Sequence, residues 1–186
     1  MLKEKEFFYV RHGQTDWNLD RRAQGRTDVP LNAEGWRQAE CAASTLGGQR
    51  FASICSSPLS RALDTAKIIQ RESGGELYVL DDLAECSWGI REGEIKGAWF
   101  EAWKRGEALP DGAETREAFL VRALNAINTA LEYPGPVLIV AHGGIYWAVQ
   151  IHALRNLDQS LPNAEIVRHE PPTDKHPWWR TSNLTR

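Results

Sequence analysis

The chain has 186 residues, 42% of them hydrophobic and 25% charged, an ordinary globular composition long enough to bury a core without disulfides or metal. Twenty-two basic against twenty-five acidic side chains leave a net charge of −3, which excludes a nucleic-acid partner held by a broadly basic surface. Cys41, Cys55 and Cys86 form no CxxC pair, the N-terminus has no signal-peptide pattern, and no apolar run is long enough to cross a bilayer. The expectation is one cytoplasmic domain over residues 1–186, with no membrane partner.

In chain order, Phe7 to Val10 is a short apolar run ended by a polar, glycine-containing segment and predicts a buried strand. From Asn32, the residues Trp36, Ala39, Ala43 and Leu46 recur at helical spacing until Gly47-Gly48. Phe51 to Cys55 and Leu77 to Leu80 are weaker strand candidates. Between them, Leu59, Ala62, Leu63, Ala66 and Ile69 form the stripe of a second helix, opening just after Pro58. Glu85 to Gly112 mixes Trp88, Trp99, Phe100 and Trp103 with charges, and predicts loop plus a short helix. Thr115 to Leu131 is an amphipathic helix that runs into Pro134-Gly135-Pro136. Val137 to Ala141 is the strongest strand, apolar throughout, and a helix over Ile145 to Leu154 follows His142-Gly143-Gly144. His169 to Pro177 is a Pro-rich connection, and Trp178-Trp179-Arg180 suggests a terminal strand. Such alternation predicts an α/β fold around a mostly parallel sheet.

Two of the strands end in histidine followed by glycine, at Arg11-His12-Gly13 and at His142-Gly143-Gly144. Ligands of open α/β sheets bind beyond the carboxyl ends of strands, so neighbouring strands would bring these histidines into one crevice. A helix opening at Gly143 would point free N–H groups into it, and Arg11 and Arg61 could fork onto phosphate oxygens. Each element alone is compatible with a plain strand end or a solvated arginine; together they describe a phosphoryl site. The five histidines show no HExxH or HxH spacing, so no metal is expected; His152 reads as a helix-surface residue, and His169 and His176 as a solvated loop. Neither a GxSxG elbow nor a Walker sequence occurs.

The chain resembles the histidine phosphatase superfamily, which includes phosphoglycerate mutase. Arg11-His12-Gly13-Gln14-Thr15-Asp16-Trp17-Asn18 opens the likeness, and Gln24-Gly25, Ser56-Ser57-Pro58-Leu59-Ser60-Arg61-Ala62, Glu85, Glu92-Gly93, Gly112-Ala113-Glu114-Thr115 and Val140-Ala141-His142-Gly143-Gly144 follow in order. By composition, residues 169–186 read as a Pro- and Trp-containing C-terminal segment of the same domain; the resemblance spans roughly residues 7–150 and implies a three-layer α/β/α sandwich of the phosphoglycerate mutase type. It implies His12 as a nucleophile that becomes phosphohistidine, with Arg11, Arg61 and His142 on the phosphoryl oxygens. Glu85 would protonate the leaving oxygen and then activate water, for which it must carry a proton at the working pH; Asp81, Asp82 and Glu92 are near it in sequence. Thr15, Asn18, Gln24, Gly25 and Gly143 would line the substrate pocket, with no cofactor.

The family's cofactor-dependent mutases carry a longer, more basic segment between the acidic residue and the second histidine. Here that stretch is short, and Arg91, Lys96, Lys104 and Arg105 alternate with acids as a solvated face would. The expectation is therefore a phosphomonoesterase acting on a small phosphorylated metabolite. A mutase and an inactive phosphate-ligand binder are the alternatives. The tryptophans suit a substrate with apolar surface, or equally a packed core. Arg91 stands where many members carry an aromatic residue, which bears on the substrate rather than on the chemistry.

Overall fold

The computed structural model describes residues 1–154 and 160–185. Six strands form one sheet: β1 (Phe7–Arg11), β2 (Ser53–Ser56), β3 (Glu76–Val79), β4 (Val137–Ala141), β5 (Ile166–Glu170) and β6 (Arg180–Asn183), in the order β3-β2-β4-β1-β5-β6. The first four neighbours are parallel, while β5 runs antiparallel to both β1 and β6. The helices are α1 (Asp16–Leu19), α2 (Ala33–Thr45), α3 (Ser60–Ser73), α4 (Ala98–Lys104), α5 (Arg116–Ala130) and α6 (Gly143–Ala153). Among the described residues, no helix is long and apolar enough to cross a membrane.

The apolar strands are buried on both faces because side chains alternate. Phe7 and Tyr9 of β1 join Val137, Ile139 and Ala141 of β4 in one core, with α5 and α6 packed over it. Phe8, Val10, Leu138 and Val140 face the opposite core, beneath α2 and α3. Each fully buried side chain of this size stabilises the fold by about 1.5–3 kcal/mol. Asn32 caps α2 by accepting from the Gly35 N–H at 2.9 Å, and Thr115 caps α5 by accepting from Ala118 at 3.1 Å. The turn after β1 packs directly on α2: a Cβ on Gly13 would lie 2.4 Å from the carbonyl oxygen of Gly35. Only glycine allows that approach.

One reading is corrected here. His169 is not in a solvated loop, and the connection does not begin at it: His169 lies within β5 and is fully buried. It sits opposite Phe7 in the strand register, with ring centroids 4.4 Å apart and planes 3° from parallel. The flanking Arg168 and Glu170 pair with each other at 3.8 Å and made the segment look polar. The terminal strand begins at Arg180, after Trp178-Trp179 rather than on them.

Candidate active site

Three adjacent parallel strands deliver the site. Arg11 is in register with Ala141, and the His12 N–H donates to the Ala141 carbonyl at 3.0 Å. On the other side of β4, the Ser57 N–H donates to the Val140 carbonyl at 3.1 Å. His12, His142 and Ser57 therefore each stand one residue beyond a strand end, and the two imidazole centroids are 5.1 Å apart. Nδ1 of His12 lies 2.7 Å from the Gly13 carbonyl oxygen. A carbonyl only accepts, so Nδ1 carries the proton and the lone pair of the neutral ring is on Nε2. Burial, and then the charges of Arg61 and Arg11, hold the His12 pKa well below 6.5, so the ring is neutral at physiological pH.

Both arginines are anchored by backbone carbonyls. Arg11 donates to Leu161 at 2.6 Å, and Arg61 donates to Thr27 and Gly25 at 2.9 Å each. Burial brings Arg61 down to about 10, which leaves it cationic. Among the described residues, the buried Nε atoms of Arg11 and Arg61 and Nδ1 of His142 have no hydrogen-bond partner. Leaving a buried polar group unsatisfied costs about 1–3 kcal/mol, so these neighbouring nitrogens, two of them on cationic guanidiniums, form a constellation that can take an anion.

Glu85 is held by two backbone N–H groups, Cys86 on Oε1 at 2.9 Å and Gly144 on Oε2 at 3.0 Å. Asp81 and Asp82 are exposed. The Glu92 carboxylate is taken up by the N–H groups of Arg26 at 2.9 Å and Thr27 at 2.8 Å, so it fastens the 24–27 turn. Arg122 of α5 reaches the carbonyls of Asp82 and Ala84 at 2.7 and 2.9 Å and pairs with Glu114 at 2.8 Å. The segment carrying Glu85 is thereby tied to a helix.

A cavity of about 420 Å³ opens over these groups, and Arg11, His12, Arg61, Glu85 and Gly143 line its floor with Asn18, Gln24 and Gly25. Thr15 does not line it. That side chain is buried and caps α1, accepting from the Asn18 N–H at 3.2 Å. His142 is buried beneath the floor. Trp88, Phe100, Trp103, Phe119 and Trp147 form an aromatic wall. Trp88 and Trp103 serve as core and wall together, only 3% and 2% exposed. Arg22, Lys96 and Lys104 stand at the rim, whereas Arg91 and Arg105 pair with Glu94 and Glu107 and do not line the cavity.

Residues 7–176 match the family model of the histidine phosphatase superfamily, branch 1. The chain belongs to that superfamily. The chain is 39% identical over 178 residues to the uncharacterized phosphatase PhoE of Bacillus subtilis (strain 168), covering 87% of this chain and 88% of that one. It is 34% identical over 149 residues to the probable phosphoglycerate mutase GpmB of Proteus mirabilis (strain HI4320), covering 74% and 69%. Among solved structures, mycobacterial glucosyl-3-phosphoglycerate phosphatase complexed with VO3 superposes with a TM-score of 0.78 at 27% identity, over 96% and 97% of the two chains. Phosphoglycerate mutase from Thermus thermophilus superposes with a TM-score of 0.73 at 31% identity, over 88% and 92%.

Three groups of this site carry no signal of their role in the sequence. Ser57 lies 2.7 Å from Nε2 of His142. The Asn163 amide donates to the His12 carbonyl at 2.9 Å, and Leu161 supplies the carbonyl that anchors Arg11. The last two belong to the approach to β5, the strand whose polar sequence concealed it.

Proposed function

We propose that this protein is a metal-independent phosphomonoesterase acting on a small organic phosphate through a phosphohistidine intermediate. Nε2 of His12 attacks phosphorus in line, and the phosphorus–oxygen bond to the alcohol breaks. Arg11, Arg61 and His142 hold the three non-bridging oxygens as charge builds on them. Glu85 gives its proton to the leaving oxygen, then takes one from the water that attacks phosphohistidine. Inorganic phosphate leaves and His12 is restored. The observation that carries this reading is the set of nitrogens on Arg11, Arg61 and His142 that have no partner among the described residues, beside a neutral imidazole whose Nδ1 proton is committed to Gly13.

One observation favours isomerisation of a phosphoglycerate instead, namely the rim cations. Lys96 and Lys104 stand over the Phe100 ring, at 4.7 and 5.2 Å, where a second anionic group of a substrate would sit. Phosphate release from a panel of phosphomonoesters, with chelator present and with 3-phosphoglycerate isomerisation followed in the same samples, separates the readings. Rapid release that His12→Ala lowers by about three orders of magnitude or more supports the phosphatase. Isomerisation outrunning release overturns it, as does a His12→Ala variant that keeps a tenth of the rate.

A further inference from the structure

His142 has a different neighbour on each side of its strand. One is His12; the other is Ser57, whose Oγ lies 2.7 Å from Nε2 of His142, with both side chains completely buried. A neutral imidazole carries one proton, and the nitrogen that holds it decides what the ring can do. Burial, with Arg61, His12 and Arg11 as neighbours, keeps this ring neutral. Its other nitrogen, Nδ1, has no partner among the described residues.

The serine decides between the two tautomers. The Leu59 N–H donates to Ser57 Oγ at 3.3 Å, so the backbone supplies a donor there. The hydroxyl proton is then free to go to Nε2. Were Nε2 protonated, the serine proton would be buried without an acceptor among the described residues, and Nδ1 would present a lone pair to an anion. The arrangement that leaves the fewest groups unpaired runs from Leu59 N–H to Ser57 Oγ and from Ser57 O–H to His142 Nε2, and keeps on Nδ1 an N–H that an anion can accept.

We infer that Ser57 is a positioning residue that holds His142 in the Nδ1–H tautomer and so makes it a hydrogen-bond donor to the phosphoryl group. The catalytic half of this inference rests on the phosphomonoesterase reading; the tautomer does not. Nitrogen-15 NMR of the labelled wild-type protein, with the His142 signals assigned by their loss in His142→Asn, reads the tautomer without any turnover. The expected result is a protonated Nδ1 and an unprotonated Nε2; the reverse overturns the inference. In Ser57→Ala the ring should become a mixture of tautomers, and kcat for p-nitrophenyl phosphate should fall about tenfold to a hundredfold. Ser57→Thr, which keeps the hydroxyl, should recover most of that loss. In a His142→Ala background, Ser57→Ala should cost less than about twofold, because nothing remains to be oriented. Equal losses in both backgrounds would make Ser57 merely structural. A wild-type protein that hydrolyses no phosphomonoester would overturn the proposed function, while the NMR result still decides the tautomer.

Discussion

The backbone N–H of Gly144 donates to Oε2 of Glu85 at 3.0 Å, and a Cβ on Gly144 would lie 2.1 Å from Oε1 of the same carboxylate. The first turn of α6 thus both holds Glu85 and leaves it room. Gly144→Ala should push the carboxylate off its N–H without touching Arg11, His12 or Arg61. Activity on alkyl phosphates should fall about tenfold or more, and activity on p-nitrophenyl phosphate much less, since nitrophenolate hardly needs a proton to leave. Glu85→Gln should show the same leaving-group pattern more strongly. Equal losses on both substrates would remove Glu85 from the acid role.

Arg61 is fully buried and spans two carbonyls with one planar group. Lysine places one ammonium where the guanidinium made two bonds and kept Nε free. Arg61→Lys should therefore lower kcat/KM by at least about tenfold and weaken orthovanadate binding in parallel. Steady-state kinetics with an alkyl phosphate decide this, and an unchanged kcat/KM would mean that the clamp lies elsewhere.

Acid should destabilise this fold. His12 and His142 are held well below 6.5, and burial brings His169 to about 3. As pH drops below 6.5 the unfolded chain binds protons that the folded chain refuses, so stability is greatest above that value and declines beneath it. Each such histidine contributes up to about 1.4 kcal/mol per pH unit across its window. The melting temperature should fall steadily from about pH 6.5 to about pH 5. His169→Phe keeps the stacking on Phe7 and removes one titration, so its profile should be shallower. A flat wild-type profile would contradict the burial of these rings.

Arg122 ties α5 to the segment ending at Glu85, and its pair with Glu114 is well shielded, with side chains 15% and 21% exposed. Arg122→Leu leaves Glu114 to the Ser87 N–H at 2.9 Å and to Arg26 at 3.7 Å, and frees the carbonyls of Asp82 and Ala84. Urea denaturation should show a loss of about 1.5 kcal/mol or more, since the charge-assisted hydrogen bonds of the guanidinium to Glu114 and to two carbonyls are lost together while Arg26 still offsets part of the Glu114 charge. A loss below about 0.5 kcal/mol would place this contact among ordinary surface ion pairs.

Local order carried the sequence reading a long way. The apolar runs at 7–10 and 137–141, the helical spacing from Asn32 to the Gly47-Gly48 stop and the Pro-Gly-Pro break before β4 each state their structure within a few residues, because strand burial and helix termination are short-range effects. The motif residues Arg11, His12, Arg61, Glu85, Asn18, Gln24, Gly25 and Gly143 line one cavity, with His142 beneath it. Thr15 went to capping α1, which its place before Asp16 equally allowed. His169 was misjudged because its immediate neighbours are charged, and only pairing with Phe7 across the sheet made that position buried.

The sequence by itself determined the α/β alternation, the family and most of the residues that line the cavity, since each is written in short apolar runs or contiguous motifs. Which atoms do what was left to the tertiary structure. The lone pair on Nε2 of His12 follows from a carbonyl 2.7 Å from Nδ1, and the placing of Glu85 from a helix that begins 58 residues later, at Gly143. The same holds for the Ser57 hydroxyl at His142, 85 positions away along the chain. Proton positions depend on hydrogen-bond partners, and those partners are brought together only when parallel strands from distant parts of the chain lie side by side.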